Sequence, residues 1–238
     1  MVKLGLPGEP DANAIRLNYD SYRLAFRDVG RNTDARTVIA TVLPPKRFCP
    51  HTVSLEQVYF DSVSTLAGYV SGQYLDHSQR LYLTSLFNSY VFDWFTRQSV
   101  TAHVSFFFIY NTPVPRLMAA DSQFSLIVAR AARLICTTPE FDDLAKAVGL
   151  KAQSPHPSPL PAGEGTSQRS AAKTSQYGAT APTERAQLRA ELDGLVAHLY
   201  GLTEAEFVHI LGTFPLVAQP VKVAAQNAYR DVERGLIK

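Results

Sequence analysis

Cysteine is nearly absent from this chain: Cys49 and Cys136 are the only two in 238 residues, and they form no Cys-x-x-Cys pair. That excludes a disulfide framework and a thiolate zinc site, and leaves two ordinary thiols suited to a reducing compartment. Charge of one sign is also missing. Lys+Arg 23 against Asp+Glu 21 leaves a net +2, so overall charge argues neither for nor against a polyanionic partner, and any such case must be local. No apolar run approaches the roughly 18–20 residues that a membrane span needs. The opening residues, Met1 to Pro10, lack the basic-then-apolar order of a secretion signal. The expectation is a soluble, cytoplasmic protein with no membrane partner. Catalytic signatures are missing too: no Gly-x-Gly-x-x-Gly, no Walker sequence and no His-Glu-x-x-His occurs. Six His are scattered without ligand spacing, which predicts no metal site. Asp142 and Asp143 ahead of Lys146 fall in a helix's first turns, where acids favour the dipole.

What the chain does have is a 46% apolar composition with 11 Tyr and 13 Phe, enough large side chains for a substantial core. One stretch stands apart. Residues 151–182, rich in Pro, Ser, Thr, Ala and Gly, read as a disordered linker, an insertion between an amino-terminal part (1–150) and a helical carboxy-terminal segment (183–238). The fragment SPHPSPLPAGEG within it resembles the translated form of a dispersed bacterial repeat.

In the first part, Tyr22, Leu24 and Phe26 alternate with Arg23, Ala25 and Arg27, which predicts a strand with one buried face and outward guanidinium groups. Turn residues Gly30, Asn32 and Asp34 lead to the β-branched run Thr37 to Leu43, ended by Pro44-Pro45, so a hairpin is expected, with another short strand at 56–60. Helical spacing of Leu83, Leu86, Phe87, Tyr90, Val91, Trp94 and Phe95 predicts one helix over 76–98. The run 104–110 reads as a buried strand, and both aromatic stretches are assigned to core. Asp121 caps a helix to Ile135, and Thr138-Pro139 starts another closed by Gly149. Beyond the linker, helices are expected from Thr183 to Tyr200, from a Thr203–Glu206 capping box, and over 221–235. The fold class is α+β.

The basic character is concentrated. From Arg16 to Arg47 seven basic residues face three acidic ones, an excess of four in 32 residues. Arginine's planar fork suits phosphate or the guanine edge. Taken alone, the pattern favours a solvated charged face over a nucleic-acid surface, and Asn32, Thr33 and Asp34 also suit a turn held by side-chain to backbone bonds.

Three blocks, YRLAFRDVGRNTDARTVIATVLPP (22–45), LYLTSLFNSYVFDWFTRQSVTAHVSFFFIYNTPVPRL (81–117) and ARAARLICTTPEFDDL (129–144), together with LDGLVAHLYGLTEAEFVHILGTFP (192–215), occur in this order. They resemble the target-recognition region and closing segment of bacterial adenine-N6 DNA methyltransferases, in particular single-chain restriction–modification enzymes and phage-defence methylases. The resemblance implies a module that docks on double-stranded DNA and selects the sequence to be methylated. It implies DNA-binding roles for Arg23, Arg27, Arg31, Asn32 and Arg36 in the groove or on phosphates, for Lys46 and Arg47 on phosphates, and more weakly for Arg97 and His103.

The family's S-adenosylmethionine loop and its Asn-Pro-Pro-Tyr-type motif, which grips the flipped adenine, do not occur here. The nearest string, Asn111-Thr112-Pro113-Val114, lacks the paired prolines and the aromatic. No catalytic residue and no cofactor site carry over, so methylation requires a methyltransferase domain on another chain, and the expected partner is a chain carrying the methyltransferase and nuclease domains. Two further readings stay open: adenine-specific methylation with such a partner, and an interaction protein whose hairpin never meets DNA.

Overall fold

A computed structural model of the protein describes residues 17–64, 68–152 and 175–237. Within them the chain is α+β, as the sequence predicts, with a three-stranded antiparallel sheet, a separate hairpin and eight α-helices. The order is β1 (Arg23–Arg27), β2 (Ala40–Leu43), β3 (Val53–Leu55), β4 (Tyr59–Ser64), β5 (Gly68–Gln73), α1 (His77–Phe87), α2 (Tyr90–Arg97), α3 (Phe106–Asn111), α4 (Ser122–Ile135), α5 (Asp142–Ala147), α6 (Pro182–Leu199), α7 (Glu204–Gly212) and α8 (Gln219–Glu233). β1 is the centre of the larger sheet, with β2 and β3 on either side; Leu24 faces Val42, and Phe26 faces both Ala40 and Ser54. β4 pairs with β5.

The single helix predicted over 76–98 is two. α1 begins at a capping box in which Asp76 accepts from Gln79 N and Gln79 reciprocates. It stops at Asn88, and Ser89 caps α2 by accepting from Phe92 N. The break has a physical cause. Asn88 presents its amide to the open edge of β2, accepting from Ala40 N at 3.1 Å and donating to Ala40 O at 2.8 Å. A side chain thus supplies the ladder bonds that a fourth strand would have made.

The apolar run 104–110 differs more. Only Val104 is strand-like, donating to Asp28 O at 2.6 Å beside a bridge between Val29 and His103, and α3 follows at once. A short apolar run does not distinguish strand from helix by periodicity, and here Ser105 at the N-cap position and Thr112-Pro113 behind it bound a single helical stretch. Of the strand expected at 56–60, only Tyr59 and Phe60 are in a strand, at the start of β4, and 56–58 form the link from β3 to β4. Glu56 between them turns inward, accepting from Leu24 N at 2.8 Å and pairing with buried Arg80 at 2.8 Å.

α4 (Ser122–Ile135) has the expected extent, but Asp121 at its N-cap position makes no side-chain capping bond and accepts instead from Met118 N at 2.6 Å, while the capping box at Thr203–Glu206 is present. Residues 153–174 of the predicted linker lie outside the described residues. The stretch 175–181, however, is packed structure: Ser175 N donates to Thr137 O at 3.0 Å, Ala179 N donates to Arg133 O at 2.7 Å, and Tyr177 is buried. Its small-residue composition suits close backbone pairing as well as a linker. α6–α8 share one core with the amino-terminal part: Phe214 packs edge-on to Tyr90 at 4.9 Å, and Asp193 accepts from Tyr90 N at 3.0 Å. Among the described residues no helix is long and apolar enough to cross a membrane.

Candidate nucleic-acid interface

β1 carries two of the candidate arginines, and neither stands free. Arg23 is 4% exposed and donates through Nη2 to Arg47 O; its Nε is buried without a partner. This corrects the outward orientation expected from alternation. As the central strand β1 is buried along four successive residues, Arg23 to Phe26, so polar alternation does not identify a wet face. Arg27, at the strand's end, is half-exposed and donates to Asp34 Oδ2 at 3.2 Å and Arg36 O at 2.9 Å.

The loop after β1 is organised by an acid that sequence reasoning missed. Asp93 on α2, fully buried, faces Arg36 Nε at 2.9 Å and Arg97 Nε at 3.2 Å and accepts from Thr37 N at 3.0 Å. The guanidinium of Arg36 lies 4.3 Å over the Tyr90 ring, and that of Arg97 lies 3.9 Å over Phe214. Arg97 also donates to Asp34 O at 3.2 Å, and His103 Nδ1 lies 2.9 Å from Asp28 Oδ2. One signal was available: Asp93 stands four residues before Arg97 on a helix, the spacing of an intrahelical ion pair.

Six candidates therefore gather at one end of β1: Arg27, Arg31, Asn32, Arg36, Arg97 and His103. The other three, Arg23, Lys46 and Arg47, sit at the opposite end, where Lys46 N donates to Tyr19 O at 2.8 Å. A five-residue strand separates the two groups, about 13 Å at the rise of an extended chain. Arg47 is exposed and pairs with Glu140. Lys46 adopts φ 62°, in the left-handed region.

Among the described residues, the side chains of Arg31, Asn32 and Lys46 are exposed and make no hydrogen bond or ion pair. Each end of β1 also carries exposed aromatics. At the Arg31 end a ladder of rings climbs out of the core, Phe26 to Phe106 at 5.2 Å and Phe106 to Tyr110 at 5.7 Å. It finishes at Tyr110, 79% exposed, beside Phe107, 68% exposed. This corrects the assignment of Phe106 and Phe107 to core, whereas Phe108 is partly buried and packs against it. α3 is pinned to the loop where Gly30 N donates to Ala102 O at 3.1 Å. Gly30 is required there, since a Cβ would lie 2.4 Å from Thr37 O. At the Lys46 end Phe48, 85% exposed, stacks on Tyr19 at 4.4 Å.

Asn111-Thr112-Pro113 closes α3, with the Thr112 hydroxyl 3.1 Å from that of Thr96 inside the core, so this string has a packing role. Among the described residues no group of three or more His, Cys, Asp and Glu is placed to hold a metal ion. No family model, no curated protein and no solved structure matches the chain.

Proposed function

We propose that this chain is the sequence-specific duplex-DNA recognition module of an adenine-specific DNA methyltransferase or restriction–modification enzyme. It works in the cytoplasm and depends on another chain for S-adenosylmethionine and for methyl transfer. One observation carries the reading: each end of β1 carries both an exposed, unpaired cation and exposed aromatics, Arg31 with Tyr110 and Phe107 at one end, Lys46 with Phe48 at the other. Cations that meet phosphates and aromatic faces that meet bases are the two parts a nucleic-acid surface combines. The internally bonded arginines have a different role. Arg27, Arg36 and Arg97 shape and stiffen the 28–36 loop so that Arg31 and Asn32 are presented at its tip, while Arg23 belongs to the core.

The test is duplex binding by the full chain, followed by anisotropy across a salt series. Lys46→Gly is the variant of choice, because glycine adopts the φ of this position without strain while the exposed side chain and its charge are removed. We expect affinity that falls steeply with salt, and a log–log slope reduced by about one in Lys46→Gly and again in Arg31→Ala. Binding insensitive to salt, or slopes unchanged in both variants, would overturn the reading in favour of an interaction protein. The isolated chain is expected to transfer no methyl group from S-adenosylmethionine to DNA; turnover without a partner would contradict the division of labour.

A further inference from the structure

A cleft of about 870 Å³ opens between α6 and α8 on one side and β2, the α1–α2 junction and the end of α4 on the other. That size lies within the range of small-molecule sites. Its walls are mostly apolar, Ile39, Ile135 and Val221 among them, and two of these, Ile39 and Val221, are exposed large side chains.

Two arginines one turn apart on α6 line this cleft. Arg185 is fixed: its Nη1 donates to Leu134 O and to Ala179 O, both at 2.9 Å. Arg189 is exposed and makes no hydrogen bond or ion pair among the described residues. The acids flanking them on the same helix are engaged elsewhere, Glu184 by Arg133 and Glu191 by Arg130 at 2.6 Å. Asp193, the next residue along this row, is buried against Tyr90 N. Across the cleft Arg36 is already paired with Asp93. Burial and the charge of Arg189 both lower the pKa of Arg185. Two like charges are thus held close in a partly dry setting, where each weakens the other unless an anion lies between them.

We propose that this cleft binds a small organic anion, with its acid group between Arg185 and Arg189 and its apolar body against Ile39, Ile135 and Val221. Of the candidate DNA-contacting residues only Arg36 borders the cleft, and the exposed cations Arg31 and Lys46 do not line it. It selects against inorganic anions, which leave the apolar wall wet, and against neutral hydrocarbons, which leave the guanidinium pair unmatched.

Two fluorescent probes separate these contributions in the full chain: 8-anilinonaphthalene-1-sulfonate, and N-phenyl-1-naphthylamine, the same body without the sulfonate. The sulfonate should bind one-to-one and more tightly than the neutral probe. Arg189→Gln, which removes no internal bond, should weaken the sulfonate about tenfold and leave the neutral probe unchanged. Ala186→Trp, which fills the cleft from α6, should displace both. The proposal is overturned if Arg189→Gln leaves sulfonate binding intact, if the two probes bind equally, or if the sulfonate binds at many sites without saturating. It also fails if Arg189→Gln weakens duplex binding as much as sulfonate binding, for the cleft would then belong to the DNA-facing surface.

Discussion

Arg36 and Asp93 come from different parts of the chain and meet at 2.9 Å, joining the loop after β1 to α2. The carboxylate is entirely buried and also holds Arg97 and the backbone of Thr37. A buried acid with two arginine partners is a poor source of net stability, because its desolvation offsets its attractions, yet removing it leaves two cations uncompensated. The contact therefore fixes the loop's shape more than it deepens the fold's free energy.

Asp93→Asn keeps the side-chain volume and removes the charge. It is expected to destabilise the protein by about 3–5 kcal/mol, as for other broken buried pairs, lowering Tm by on the order of ten degrees. Thermal unfolding followed by circular dichroism measures this. A variant that melts with the parent would show that the two guanidinium groups find other partners and that the loop does not depend on Asp93.

Tyr110 finishes the ring ladder that starts at Phe26, and most of its surface is in water. If bases stack there, Tyr110→Ala lowers nucleic-acid affinity by about 1–3 kcal/mol with Tm nearly unchanged, and Tyr110→Phe restores binding because the ring face is kept. Equal losses in both variants would point to the hydroxyl instead and remove stacking from the account.

The parts of the fold that were legible in the sequence are those governed by neighbours a few residues apart. α4, the start of α1 after Asp76 and the cap at Thr203 follow from local backbone chemistry, and the β1–β2 pairing follows from a strand, a turn and a second strand. The parts that were not legible depend on distant contacts. Nothing near Asn88 says that its amide will complete the edge of β2, so the helix break was invisible. Arg23 looks like an outward residue until β3 and Arg47 are placed against it. Asp93 lies inside an aromatic stripe, and beyond its i,i+4 spacing to Arg97 its hold on Arg36 and Thr37 emerges only when the 28–36 loop is folded over it. The cleft depends on α6 and α8 closing over the end of α4 and β2, a contact between segments that composition separates.

Asp193 gives a pH dependence with a definite sign. Burial raises its pKa from 3.8 to about 6, with Arg36 and the Tyr90 N–H opposing the rise and Asp93 adding to it. The folded state binds the proton more tightly than the unfolded chain, so this group's stabilising contribution is full below about pH 4 and is lost as pH rises through about 6. The loss is about 3 kcal/mol in order of magnitude. Glu204 and Glu206, whose pKa values are lowered by hydrogen bonds from Arg230 and from Thr203, act in the opposite sense. They are common to parent and Asp193→Asn, so the difference in urea-unfolding free energy between the two isolates Asp193. The variant should gain on the parent from pH 4 to pH 7. A constant difference across that range contradicts the assignment.

The two thiols are expected to differ sharply in reactivity. Cys136 is fully buried, and its burial, with a smaller contribution from Asp142, pushes the thiol up to about 12. Thiolate is the reactive form. Iodoacetamide at pH 8 should label Cys49, which is partly exposed, and spare Cys136 until denaturant is added. Mass spectrometry of the peptides decides this, and labelling of Cys136 at the native rate of Cys49 would mean that the end of α4 opens readily.

Gly194 lies mid-helix in α6, where propensity alone favours alanine by about 1 kcal/mol. The opposite outcome is expected. A Cβ at this position would stand 2.7 Å from the carbonyl carbon of Ala228 and 2.7 Å from Tyr229 N, both backbone atoms of α8 that have no rotamer with which to yield. Gly194→Ala must separate the two helices, and overpacking of this kind costs about 1–3 kcal/mol, more than the propensity gain. Because α6 and α8 also wall the cleft, the same substitution should weaken binding of the sulfonate probe along with Tm. If Gly194→Ala instead raises Tm, α6 and α8 do not approach as closely as described, and the shape of the cleft between them must be revised with it.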